Sequence, residues 1–436
     1  MNGYTLIILI ALLADGLVSL IADHLNLRHQ PEHPPEEFAD LIETEAYNKS
    51  RAYLKATTRL DQITSLYNLA ILLAFWFGAG FNRLDLWCRS IFSDSLAAGL
   101  LFIGLLLFGR SLLNLPFALY QTFVIEERFG FNRTDWKTFL FDRVKIILLG
   151  IIIGGPLLAL ILWFLESTGN RAWLYAWLTA AGFTLALQFI APTWIMPLFN
   201  KFTPLEDEEL KALLSAYGRE VDFPLDKVFV IDGSRRSAKG NAFFTGFGRN
   251  RRVALYDTLI ARHTPAELLA VLAHEIGHYK KKHILIMTGL ALVHQGIIFY
   301  LLGWVIRQPG IYAAFFMDHP SPAAGLVFFG LLYTPVEMVL SPLFNALSRR
   351  HEFAADKFAA TTLGECENLV TALKKLARDN LSNLVPHPFY VFLHYSHPPL
   401  LERIRTMREI TPHVRPAEGS KTPGKNGAAA APEKTC

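Results

Sequence analysis

Thr264-Pro265-Ala266-Glu267-Leu268-Leu269-Ala270-Val271-Leu272-Ala273-His274-Glu275-Ile276-Gly277-His278 is the stretch from which the rest of the chain can be read. It opens as a capping box, Thr264 with Glu267 three residues on, and Pro265 stands at the first helical position. Leu268, Leu269, Val271, Leu272 and Ile276 then follow at helical spacing, so a helix is predicted. Residues four apart on a helix share a face. His274 and His278 can therefore reach one metal ion together. Glu275 stands beside the first ligand, where a carboxylate takes a proton from a metal-bound water. The bland alternative is two histidines and a glutamate on the solvated end of an ordinary helix, since three fixed residues make a short pattern.

Two further segments complete a constellation. Catalytic zinc takes three protein ligands and keeps one open position. In His351-Glu352-Phe353-Ala354-Ala355-Asp356, Glu352 is the candidate third ligand. Asp356, four residues on, shares its face and is suited to hold a liganding histidine by its other ring nitrogen. In Ser396-His397-Pro398-Pro399-Leu400-Leu401-Glu402-Arg403-Ile404, His397 is a candidate hydrogen-bond donor to the oxyanion formed when water attacks a carbonyl. Alone, each reads as solvated helix charge or a loop histidine. Beside the paired histidines they read as a site.

The chain is predicted to be a polytopic membrane protein, mainly α. Its 436 residues are 52% apolar, and the mean hydropathy is +0.28. A bilayer span needs about 20 apolar residues. Seven stretches qualify, near 4–22, 62–81, 96–122, 144–165, 172–198, 284–304 and 323–347. Pro116, Pro192 and Pro197 predict kinks or ends in the third and fifth. The first stretch has no Lys or Arg before it and no small-residue cleavage site after it, so it is kept as a mature helix.

Charge sets the orientation. Arg28, Lys49, Arg51, Lys55 and Arg59 follow span one, and Arg128, Arg133, Lys137 and Arg143 follow span three. The region after span five is also basic, whereas the opposite side carries only Arg83, Arg89, Arg171 and Arg307. The positive-inside rule then puts the amino terminus outside and the carboxyl terminus in the cytoplasm, with both metal-ligand motifs at the cytoplasmic ends of spans six and seven. Asp15, Arg110, Asn114, Gln188 and Glu337 fall inside spans. Singly they read as glue between helices; together they suggest a polar chamber.

The formal net charge of +4 belongs largely to the cytoplasmic loops, and no basic run interleaved with aromatics points to nucleic acid. Cys88, Cys366 and Cys436 show neither metal spacing nor a disulfide framework. The division expected is 1–204, a membrane unit of five spans; 205–414, a metalloprotease unit with two more; and 415–436, a disordered tail of Ala, Gly, Pro, Lys and Glu. In the second unit, Leu205 to Tyr217 reads as a helix and Lys227 to Ile231 as a strand. Asn241 to Phe247 and Arg252 to Tyr256 read as a strand pair turned through Gly248-Arg249-Asn250. An exposed strand beside such a helix offers its edge to an extended peptide, and Asn241 either starts that strand or ends a turn.

With these motifs in order, the chain resembles the type I CAAX prenyl proteases, integral membrane zinc endopeptidases of the gluzincin group. The resemblance also covers Glu127-Arg128-Phe129-Gly130-Phe131-Asn132, Pro197-Leu198-Phe199-Asn200-Lys201-Phe202 and Asn241-Ala242-Phe243-Phe244. It implies a barrel of seven transmembrane helices around a water-filled chamber, and a zinc protease domain with a small β-sheet on the cytoplasmic side. It implies one Zn2+ per chain held by His274, His278 and Glu352, with Glu275 as general base and His397 on the oxyanion. Asn241 and Arg403 would contact the substrate, and Asp356 would support a ligand. The implied partners are the bilayer and a peptide or protein, with or without a prenyl group at a carboxyl-terminal motif. The ending Glu433-Lys434-Thr435-Cys436 carries no endoplasmic-reticulum retrieval signal, which favours a bacterial inner membrane and leaves open a quality-control protease without prenyl specificity. A transporter or lipid-handling protein with structural zinc would need a fourth ligand, for which His351 and Asp356 are the nearby candidates.

Overall fold

The structure, a computed structural model, describes residues 2–223, 228–245 and 252–410. The turn Gly248-Arg249-Asn250, Lys227 and the tail lie outside the described residues. Six helices are long and apolar enough to cross a bilayer: Gly3–Arg28, Thr44–Phe77, Ser95–Glu126, Trp136–Ser167, Gly169–Leu198 and His283–Val305. The seventh span is a pair, Pro322–Leu332 and Thr334–Leu363, bent by 57° at the break. A single helix over 323–347 was the simpler expectation. Pro335, in the first turn of the second helix, explains the break, because its ring clashes with the carbonyl four residues back.

The prolines of spans three and five act through helix type. Pro116 lies inside Ser95–Tyr120, which passes into a π-helical stretch, Gln121–Glu126. Pro192 opens another, Ala191–Ile195, and Pro197 sits in the 3-10 turn Met196–Leu198. A wider turn absorbs the hydrogen bond that proline cannot make. Neighbouring spans touch in the order one, two, three, four, five, six, seven and back to one, and the first half of span seven also packs against spans three and four. Three of the intramembrane polar residues join neighbouring spans. Asn114 exchanges hydrogen bonds of 2.9 and 3.1 Å with Asn68. Gln188 donates to Thr288 Oγ1 at 3.0 Å, and Glu337 lies 3.9 Å from His294.

The second unit carries a four-stranded sheet ordered β1-β2-β4-β3. The strands are β1 Phe202–Pro204, β2 Val228–Ile231, β3 Ala242–Thr245 and β4 Arg252–Tyr256. β2 and β4 are parallel, and β3 runs antiparallel to β4 as an edge strand against the helix Pro265–Lys280. The helix expected over 205–217 spans Glu208–Glu220, because Asp207 caps it by accepting from the Leu210 N–H at 2.9 Å.

The core under the sheet gathers Leu210, Leu214, Leu255, Leu268, Leu272, Ile276, Leu369, Val370 and Met407. It also takes in Phe38 and Ile42 from the connection after span one and Tyr47 from the first turn of the span-two helix. Phe38 belongs to a 3-10 turn, Glu36–Phe38, and is fully buried. Beside it, Glu37 lies 2.8 Å from both Lys374 Nζ and Arg408 Nη1. The first loop is thus part of the second unit's interior.

Candidate active site

The helix Pro265–Lys280 begins as its sequence predicts. Thr264 Oγ1 accepts from the Glu267 N–H at 3.3 Å, and Glu267 Oε2 accepts from the Thr264 N–H at 3.0 Å. Its apolar face is buried in the core, which leaves His274, Glu275 and His278 to be presented at its far end. The helix Thr334–Leu363 crosses it closely. A Cβ built on Gly277 would meet Ala355 Cα and O at 3.1 Å. Glycine between the two histidines is therefore what lets the backbone bearing Glu352 and Asp356 approach.

The approach brings three donors together. His274 Nε2 and His278 Nε2 are 3.1 Å apart. Glu352 Oε2 is 3.5 Å from His274 Nε2, and Oε1 is 3.2 Å from His278 Nε2. A tetrahedral ion with donor bonds of about 2.1 Å has donor edges of about 3.4 Å. The edges found here bracket that figure. Glu352 Oε2 is also a buried oxygen that makes no hydrogen bond of normal geometry, although His397 and Arg403 lie near it, and a cation would satisfy it. The residues fit a metal, and among the described residues the cluster comprises these three side chains.

Behind the donors lies a buried frame. Asp356 is fully buried and sits 2.8 Å from His274 Nδ1. That contact turns Nε2 of His274 toward the cluster. Arg403 grips Asp356 with both arms of its fork, Nε at 2.8 Å and Nη2 at 2.6 Å, while Nη1 lies 3.5 Å from Glu352 Oε2. Arg403 and His274 flank the buried Asp356 carboxylate, and His274, His278 and His397 face Glu352. Burial disfavours a charge on His274, yet Asp356 and Glu352 outweigh it and raise the ring to about 9.

The remaining predicted residues divide. Glu275 is half-buried, next to the first ligand. His397 is exposed on the loop before Leu400–Ile410, with Nδ1 3.0 Å from Glu352 Oε2. Asn241 is exposed and leads into the edge strand β3. Its carbonyl accepts from the Tyr256 N–H at 3.0 Å, and its Oδ1 accepts from the Ala242 N–H at 2.9 Å. Arg403 departs from its expected contact with substrate, because it is buried and its fork is committed to Asp356. Asp356 contacts the far ring nitrogen of His274 and His351 stacks on His283, so among the described residues neither joins the donor cluster as the fourth ligand that structural zinc would need.

Sequence reading missed His283. Its Nδ1 lies 3.0 Å from His278 Nδ1, and its ring stacks on His351 with centroids 4.0 Å apart. Five residues from His278, it lies off the ligand face of a continuous helix. The helix ends before it, however, and Lys282 at φ 59° turns the chain so that His283 folds back.

Known proteins resemble this chain over most of its length. Residues 23–201 match the family model described as CAAX prenyl protease N-terminal, five membrane helices, and residues 204–411 match the model of peptidase family M48. CAAX prenyl protease 1 of Saccharomyces cerevisiae is 36% identical over 403 residues, covering 86% of this chain and 89% of that protein. The human CAAX prenyl protease 1 homolog is 32% identical over 436 residues, covering 87% and 90%. The crystal structure of S. mikatae Ste24p superposes with a TM-score of 0.86 at 35% identity, over 93% of this chain and 99% of that one. The chain is a multi-pass membrane metalloprotease, and it belongs to peptidase family M48, among the CAAX prenyl proteases.

Proposed function

We propose that this chain hydrolyses peptide bonds with one Zn2+ held by His274, His278 and Glu352. The observation that carries the reading is the cluster of three donors with an acid, Glu275, on the same helical turn. An open fourth position is the mark of a catalytic rather than a structural zinc. When bound there, zinc supplies Lewis acidity to water and to the scissile carbonyl. Glu275 takes the proton of the attacking water and delivers it to the departing amine. His397, exposed beside Glu352, donates to the oxyanion. The edge of β3, entered through Asn241, holds the substrate backbone as an added strand. Asp356 fixes the tautomer of His274, and Arg403 fixes Asp356.

The substrate we favour is a prenylated protein cut near its carboxyl terminus, on the strength of what the names of the similar proteins say of those proteins. A general quality-control protease uses the same residues and differs only in indifference to the lipid. The active site faces the cytoplasm, supported by the basic loops on that side. That holds whether the host membrane is a bacterial inner membrane, as the sequence favours, or an endoplasmic reticulum. The functional division falls near residue 204.

The test is bound zinc and cleavage of a fluorogenic farnesylated peptide by purified wild type and Glu275→Gln, with an unprenylated control. Zinc in both and cleavage only by wild type is expected. Retained turnover in Glu275→Gln would overturn the base assignment, and equal cleavage of both peptides would favour quality control.

A further inference from the structure

A groove of about 550 Å³ lies where span two meets the π-helical end of span three. Leu60, Ile63, Pro116, Phe117, Tyr120 and Val124 give it an apolar floor. Its charged lining residues are both arginines, Arg59 and Arg128. Both are exposed, and neither makes an ion pair among the described residues. The Arg128 guanidinium rests over the Phe129 ring, 5.7 Å from its centroid.

The groove opens away from the bundle of helices. A helix advances about 100° per residue. Ala56, Arg59 and Ile63, which line the groove, therefore occupy one face of span two. Asp61, Ser65 and Asn68 occupy the opposite face, from which Asn68 bonds to Asn114 of span three. A face that is apolar along its length and crowned by arginine suits the boundary between acyl chains and headgroups. Arg59 and Arg128 are also among the charges that place this end of the spans at the cytoplasmic surface, where anionic lipids concentrate.

We propose that this groove binds one anionic phospholipid of the cytoplasmic leaflet. The phosphate sits between the two guanidinium groups, whose forked donors match its oxygens. An acyl chain runs along the floor from Leu60 and Ile63 toward Pro116 and Phe117. The site is separate from the metal cluster. It adjoins the clasp in which Glu126 accepts from the Tyr53 hydroxyl at 2.6 Å and pairs with Lys239 at 3.2 Å. Because Lys239 lies two residues before Asn241, the lipid would brace the loop that leads into β3.

The test is native mass spectrometry of the full chain in detergent, titrated with dioleoyl phosphatidylglycerol or dioleoyl phosphatidylcholine. Wild type is expected to take up one phosphatidylglycerol ahead of any phosphatidylcholine. Arg59→Gln with Arg128→Gln should weaken that first step about 25-fold, roughly fivefold for each arginine, with phosphatidylcholine uptake unchanged. Val124→Trp, which fills the floor and leaves both arginines in place, should weaken it as well. Unchanged uptake of phosphatidylglycerol by the double variant would overturn the proposal. So would displacement of the lipid by an equal concentration of inorganic phosphate, which would mark a small-anion site. One-for-one displacement by a farnesylated peptide would overturn it in favour of a substrate groove.

Discussion

Replacing Arg403 by methionine removes a buried cation while keeping most of its volume. Its partner Asp356 is wholly enclosed and would be left with one strong contact, to His274 Nδ1 at 2.8 Å. Deleting one member of a buried pair costs about 3–5 kcal/mol, because the other charge stays buried. The surviving histidine contact places the expectation at the low end, about 3 kcal/mol. A second effect falls on the metal. Loss of support behind a liganding histidine weakens metal binding about 10–100-fold, or about 1.4–2.7 kcal/mol. The assay is paired: the unfolding midpoint in detergent, and zinc affinity by competition with a chelator. Asp356→Asn and the double variant close a cycle, in which the double variant should cost less than the sum of the singles. An Arg403→Met protein with unchanged midpoint and zinc affinity but a raised KM would refute this reasoning and return Arg403 to the substrate.

Other outcomes follow from the same geometry. Gly277→Ala sets a methyl 3.1 Å from the Ala355 backbone; overpacking of about 1–3 kcal/mol and weaker zinc binding are expected, read by the same two assays. Phe38→Ala should lower stability by about 3–5 kcal/mol, with the loss seen in the protease unit by limited proteolysis. Chelation should abolish cleavage, and stoichiometric zinc should restore it.

The parts legible in the sequence are those governed by local periodicity. The capping box, the four-residue spacing of the histidines and the run of apolar segments depend on neighbours along one element. The shift from Leu205 to Glu208 at the start of one helix shows the limit, since Asp207 decides the boundary by a single cap. What stayed hidden depends on encounters across the chain. Arg403 meets Asp356 from 47 residues away, and although the spacing from Glu352 marks Asp356, nothing in the spacing pairs it with Arg403. β1 has three residues, too few for an alternation to show. His283 was invisible because a separation of five residues lies off the ligand face of a helix, and the reversal at Lys282, in the left-handed region, appears only in the fold.

The first loop sets a schedule for biogenesis. Glu37 finds Arg408 across 371 residues, so it is among the first parts of the chain to be synthesised and among the last to be buried. At about 5–20 residues per second, its partner follows on the order of 20–70 s later. Throughout that interval Phe38, Ile42 and Tyr47 wait on the membrane with their apolar surface uncovered while six more spans insert. Newly made chains are therefore open to capture by chaperones or to degradation until the last helix docks, and premature termination before Lys374 leaves a chain whose first loop has nowhere to go.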